Sequence, residues 1–194
     1  MNLYPKTKKG QEKFNKIIES SIETIAKLGY SNASVGEITR NAGVSYGLFY
    51  LYFKDKDDLL EELVKKYNHE MRKYIHDSIN GIEGRINIEK TGFRAFIQWV
   101  KKNTHLFQIL LEAEIHRPET YKWHYRMLGD HYAKYLKDAM KKGEIKDRDP
   151  NILAYTLMGT ADFLARRFIL WDNDSKSDFP FNEIDSLIES IMKN

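Results

Sequence analysis

Apolar residues along this chain recur at intervals of three and four and nowhere alternate, and that period belongs to helices rather than strands. Residues 8 to 28 carry Phe14, Ile17, Ile18, Ser21, Ile22, Ile25 and Ala26 on one stripe, with Gly29 as the expected stop. Ser34 followed by Glu37 is a capping box, so a short helix begins there with Val35, Ile38 and Ala42 on its apolar face. Gly43 ends it, and Ser45 caps the next helix. On that helix Phe49 and Phe53 turn inward, and the opposite face holds Tyr46, Gly47, Leu48, Tyr50 and Tyr52. Asp55 caps a longer helix through Leu59, Leu60, Leu63, Tyr67, Met71, Tyr74 and Ile75, broken at Asn80 to Gly84.

The pattern stays helical after the break. Asn87 to about Asn103 carries Phe93, Phe96, Ile97 and Val100, followed by a short apolar segment from Leu106 to Leu111. Pro118 opens a helix through Tyr121, Tyr125, Leu128, Tyr132, Tyr135, Leu136 and Ala139 that closes at Gly143. Asp149 and Pro150 start a helix reaching Trp171 that is apolar nearly all round. Asn173 to Pro180 reads as a polar loop, and a last amphipathic helix carries Ile184, Leu187, Ile188 and Ile191. The expected fold is all-α, with a three-helix N-terminal domain over residues 1–54 and a helical bundle over 55–194.

Composition narrows the chemistry. A chain of 194 residues, 42% hydrophobic and 30% charged, can bury a substantial core. The net charge of +3 is small, but the cations crowd the first 56 residues, where Lys6, Lys8, Lys9, Lys13, Lys16, Lys27, Arg40, Lys54 and Lys56 face Glu12, Glu19, Glu23, Glu37 and Asp55. Lysines so gathered can neutralise phosphates, or form an ordinary solvated surface. The absence of cysteine excludes disulfides and thiolate chemistry. No apolar leader opens the chain and no run approaches the ~18 residues of a membrane span, so a soluble cytoplasmic protein is expected. No nucleophile motif or phosphate loop occurs, so neither enzymatic activity nor a cofactor is expected. Glu112 and His116 share a helix face without a second pair, so no metal site is expected.

Residues 34 to 59 carry the most specific signal. Gly29, Tyr30, Ser34, Val35, Ile38, Ala42, Gly43, Val44, Ser45, Gly47, Phe49, Tyr50, Tyr52, Phe53, Lys56 and Leu59 fall at the spacing of the helix-turn-helix domain of TetR-family transcriptional repressors, which this segment resembles. One departure is Leu48, where that family usually has threonine; an apolar touch on a thymine methyl is the natural substitute. The resemblance implies a dimer on a palindromic double-stranded operator, with Tyr46, Gly47 and Leu48 nearest the bases and Tyr50, Tyr52 and Lys56 toward phosphates. Thr39 and Arg40 would clamp the flanking backbone, Lys8 and Lys9 would reach the adjacent groove, and Ser34 and Ser45 would stand at the two helix starts. The plain alternative for the tyrosines is half-buried packing.

The body offers a dimerising face and an effector site. Leu153, Leu157, Leu164 and Phe168, with Ile184, Leu187, Ile188 and Ile191, are the expected homodimer contacts, and Gly159 and Ala161 would allow close approach of another helix. Phe93, Phe96, Trp99, Phe107, Leu111, Trp123, Tyr125, Tyr132 and Phe163 are candidates for an apolar effector pocket, or for plain core. The stretch from Phe107 to Tyr121 is similar to sensor domains of TetR-type regulators of fatty-acid metabolism, which implies acyl-coenzyme A as effector. Arg117, Arg126, Arg166 and Arg167 would then meet its phosphates, the alternative being ordinary ion pairs with Glu112, Glu114, Glu119 or Asp162. Glu112 and Glu114 beside aromatics leave a cationic drug, and hence an efflux-pump repressor, as a second effector reading. A helical small-molecule carrier without a DNA role is the third.

Overall fold

The structure is a computed structural model that describes residues 5–171 and 179–193. Of the loop expected over Asn173 to Pro180, residues 173–178 lie outside the described residues. Among the described residues every regular element is helical: α1 Lys8–Leu28, α2 Val35–Asn41, α3 Tyr46–Tyr52, α4 Lys56–Ile79, α5 Arg85–Lys102, α6 Thr104–His116, α7 Pro118–Lys141, α8 Pro150–Ala165 and α9 Phe181–Met192. A π-helical turn, Arg166–Trp171, continues α8.

The local signals act where the sequence places them. Ser34 accepts a hydrogen bond from the Glu37 amide at 3.1 Å, Asp55 from the Asp58 amide at 2.8 Å, and Asp149 from the amides of Asn151 and Ile152. Gly29 and Gly43 stand at φ +77° and +64°, which a β-carbon would strain, so α1 and α2 stop there. Two expectations need revision. Ser45 occupies the cap position of α3, yet its side chain makes no capping hydrogen bond. The helix expected from Asn87 begins at Arg85, directly after Gly84 at φ +81°.

The chain packs as two compact units, Met1–Asn68 with His105–His124, and His69–Thr104 with Tyr125–Asn194. This packing division differs from the 54/55 boundary because the apolar face of early α4 joins the first unit. Leu59, Leu60, Leu63 and Tyr67 are fully buried, and Tyr67 stacks on Phe107 of α6 with ring centroids 6.3 Å apart. Ile17, Ile25, Ile38, Phe49 and Phe53 form the core under α1–α3, and Phe14 stacks on Phe53 at 5.5 Å. The expected lining residues Val35 and Val44 are only half-buried.

The second unit is built on α5, which packs against α8 and α9. Ile97 and Val100 are fully buried, and Leu153 and Ile188 nearly so. Arg94 pairs with Asp185 and Lys90 with Glu189, fastening α5 to α9. Within this apolar setting Glu89 is 6% exposed, and it accepts hydrogen bonds from Arg85 and Tyr132. Burial pushes the Glu89 carboxyl above its ordinary range, against the pull of Arg85.

Candidate nucleic-acid interface

α3 is seven residues long and two-faced. Phe49 and Tyr52 are buried, and at 100° per residue the opposite ridge is Gly47 and Leu51. Tyr46 and Tyr50 flank that ridge on one side and Leu48 on the other. Tyr46, Tyr50 and Leu51 are 55%, 47% and 49% exposed, an unusual density of large apolar groups for a surface helix that nothing covers. The two phenols meet through a 3.0 Å hydrogen bond between their hydroxyls. That bond raises the Tyr50 hydroxyl above its ordinary value, so Tyr50 stays a neutral donor and acceptor. Arg40 is largely exposed and reaches Glu37 at 3.6 Å, and Lys8, Lys9 and Lys54 are exposed. Ser45, Tyr46, Gly47, Tyr50 and Arg40 are thus exposed and Leu48 half-exposed, in a unit whose exposed cations include Lys8, Lys9 and Lys54.

Three expected DNA contacts have other work. Thr39 is 2% exposed and donates to the carbonyls of Val35 and Gly36, so its hydroxyl is turned into its own helix. Tyr52 is 6% exposed, lies edge-on to Phe14 at 5.4 Å and donates to the Gly10 carbonyl at 3.2 Å. Lys56 donates to the carbonyls of Tyr30 at 2.6 Å and Ala33 at 3.0 Å and lies 4.3 Å over the Tyr30 ring. Desolvation lowers its pKa, and a phosphate would have to displace those carbonyls. Ser34 is occupied as a cap. Leu51, which belongs to the exposed ridge, is absent from the expected set, although its position opposite Phe49 and Tyr52 could have revealed it.

Lys56 is half of a clamp on the turn between α1 and α2. From the other side Glu112 of α6 accepts the Tyr30 amide at 3.1 Å. The His116 ring lies 4.6 Å from the Tyr30 ring, and the Tyr30 hydroxyl donates to Asp57 at 2.5 Å. Burial and the Asp57 carboxylate hold that phenol protonated, far above the usual range. Arg117, at the junction of α6 and α7, donates to Glu61 of α4 at 2.7 Å, and this bond raises the guanidinium pKa further. Helices α4 and α6 thus hold the segment that leads into α2.

The expected effector residues divide between the units. In the first, Phe107 is a fully buried core residue, Leu111 is half-buried, Trp123 is 40% exposed and Arg117 is committed to Glu61. In the second, Phe93 and Trp99 are buried and Phe96 and Tyr125 half-buried, with the Tyr125 hydroxyl donating to Asp162. Tyr132 is engaged by Glu89. Phe163 is 59% exposed and meets Trp171 edge-on at 5.4 Å, so it faces outward rather than into a pocket. Arg126 is exposed, Arg167 lies 5.4 Å over the Phe168 ring, and Arg166 takes the ion-pair alternative, with Asp162 at 2.8 Å.

The expected dimer contacts are also redistributed. Leu153, Leu157, Ile184 and Ile188 are 3–7% exposed and belong to the protomer's own core; Leu164, Phe168 and Ile191 are half-buried. The exposed stripe of α8 is rotated from them and runs Ile152, Tyr155, Gly159, Phe163, with the Tyr155 ring lying against Gly129 of α7 and Leu187 exposed on α9. A β-carbon on Gly159 would meet nothing within 4 Å, so the stripe dips at its middle.

Comparison with known proteins agrees with this geometry. Residues 17–63 match the profile of bacterial regulatory proteins of the tetR family. The chain is 42% identical over 59 residues to the fatty acid metabolism regulator protein of Bacillus subtilis (strain 168), covering 30% of this chain and 30% of that protein. It is 38% identical over 56 residues to the HTH-type transcriptional regulator BetI of Cronobacter sakazakii, covering 29% of this chain and 28% of that one. These alignments span about a third of each curated relative's length. The fold matches transcriptional regulator FadR from Bacillus subtilis, solved in complex with stearoyl-CoA, with a TM-score of 0.81 at 23% identity over 90% of this chain and 97% of that one. FadR from Bacillus halodurans gives 0.81 at 22% identity over 95% and 96%. No described helix is long and apolar enough to cross a membrane.

Proposed function

We propose, from the premise that the chain belongs to the tetR family of bacterial regulatory proteins, that it is a cytoplasmic, dimeric repressor that binds a palindromic operator and leaves it when a long-chain acyl-coenzyme A binds. Residues 1–54 read DNA and residues 55–194 sense the effector and pair the subunits. The single observation that carries the DNA role is the exposed, acid-free face of α3 beside a cationic border. A helix of that character suits a major groove, and two such helices about one helical turn apart read the half-sites of a palindrome. The apolar stripe of α8 around Gly159 supports pairing, because it is shaped to receive another helix.

The acyl-coenzyme A reading is supported by the relatives. The curated match at 42% identity is a fatty acid metabolism regulator, and a structural neighbour carries stearoyl-CoA. The aromatic residues Phe93, Phe96 and Trp99 of α5 suit an acyl chain, and the exposed Arg126 and Arg167 suit its phosphates. The cationic alternative rested on Glu112 and Glu114; Glu112 is engaged by the Tyr30 amide and Glu114 is exposed, so it is set aside. The family match over residues 17–63 likewise favours the DNA role over the carrier reading.

Release follows as a population shift. The effector binds more tightly to an arrangement in which the clamp of Glu112 and Lys56 on the α1–α2 turn is altered, and DNA binds more tightly to the other. A thermal-shift titration tests the effector class: stearoyl-coenzyme A raises the melting temperature, whereas stearate, coenzyme A alone and cationic dyes leave it unchanged. A shift with the dyes and none with the thioester would reject this choice.

A further inference from the structure

We infer that α3 selects operators through the 5-methyl groups of thymine and makes no guanine contact. The inference rests on the DNA-binding reading above and narrows it to a class of site. Guanine is distinguished in the major groove by a cationic fork on its O6 and N7, and adenine by a carboxamide on its N6 and N7. Tyr46–Tyr52 contain neither kind of side chain. What the helix presents outward is carbon: the Leu51 side chain at 49% exposure, the half-exposed Leu48, and the rings of Tyr46 and Tyr50.

Gly47 sits in the middle of that surface, and a β-carbon there would meet nothing within 4 Å. Its missing side chain leaves the backbone open to close approach on the ridge it shares with Leu51. The only base-edge feature of matching chemistry in the major groove is the thymine methyl, which no other base carries. The polar groups on this face are two phenols bonded to each other at 3.0 Å. A hydroxyl that both donates and accepts serves a phosphate or any base edge, so it adds affinity without choosing between bases. Arg40, the one guanidinium of residues 5–60, lies on α2 rather than α3 and reaches toward Glu37 at 3.6 Å.

The test uses the full chain and chemical changes in the DNA, so protein folding is not in question. Duplexes are first enriched from a random pool by binding to the protein, and the shared core is identified. Each core thymine is then replaced by deoxyuridine, and each core guanine by 7-deazaguanine, which removes the N7 acceptor. Loss of one buried methyl group corresponds to about fourfold in affinity, and that weakening is expected at one or more thymines of each half-site. The 7-deazaguanine duplexes should bind as the parent does. The Leu48→Ala, Leu51→Ala double variant should bind thymine and uracil duplexes equally, whereas Tyr46→Phe should keep the preference. Indifference to deoxyuridine together with loss at 7-deazaguanine would overturn the inference and leave the DNA-binding reading intact. A pool that never enriches would overturn both.

Discussion

Lys56 sits where a phosphate contact is expected, yet its ammonium is directed at the carbonyls of Tyr30 and Ala33. Hydrogen bonds from a charged donor contribute about 1.5–3 kcal/mol, so Lys56→Met should lower unfolding free energy by about that much in a urea titration. Arg40→Ala should behave in the opposite way: unchanged stability, but a slope of DNA affinity against salt reduced by about one counterion. If Lys56→Met leaves stability unchanged and flattens the salt slope, the two roles assigned here are reversed. Buried polar groups make a third case. Tyr132→Phe removes one donor from the buried Glu89 carboxylate and should cost about 1–3 kcal/mol, read by the same titration. These assignments were hard to reach from composition because type alone does not say where a side chain points. Thr39 and Tyr52 look like surface polar groups, and a rotation of 100° per residue about the helix axis puts them in the core.

Whole helices are more predictable than single side chains. The apolar period fixed α1 at Lys8–Leu28, and Asp55, Pro118 and Asp149 marked starts that the structure keeps. Those signals are local, so they survive in any tertiary setting. The π-helical turn at Arg166–Trp171 had no such signal, because it disturbs the backbone ladder without changing the hydrophobic pattern. The same limit applies to the stripes of α8. The helix is apolar on all sides, so its period could not say which stripe the protomer keeps for itself. The free stripe centred on Gly159 gives a sharp test. Gly159→Arg should abolish dimers in sedimentation velocity while leaving helical content unchanged, and a variant that still dimerises would remove α8 from the interface. On α9, bonds from Lys193 and Lys90 hold the Glu189 carboxyl at about 2, below its ordinary 4.5. A depressed carboxyl stabilises the fold above its unfolded value, and that contribution is lost as pH falls from about 4.5 toward 2. Glu189→Gln should therefore flatten the loss of stability across that window, and an identical acid profile would show the pairs contribute nothing.

At the scale of the molecule, the units are not the domains that function suggests. Early α4, α6 and the start of α7 pack with α1–α3, so the segment that carries the proposed DNA face shares a unit with helices from beyond residue 54. That arrangement is a consequence of long-range burial, such as Tyr67 against Phe107, which no short sequence window reports. It also gives the proposed coupling a physical location in the bond between Glu112 and the Tyr30 amide. Glu112→Gln keeps an acceptor but removes the charge, and it should reduce the response to effector more than it reduces basal DNA affinity. The most direct measurement is equilibrium binding of the enriched duplex with and without saturating stearoyl-coenzyme A. Coupling of about 1–3 kcal/mol predicts a 5- to 150-fold loss of affinity, and the same factor when thioester affinity is measured with and without DNA. Equal DNA affinity in the two conditions, with the thioester demonstrably bound, would contradict the account.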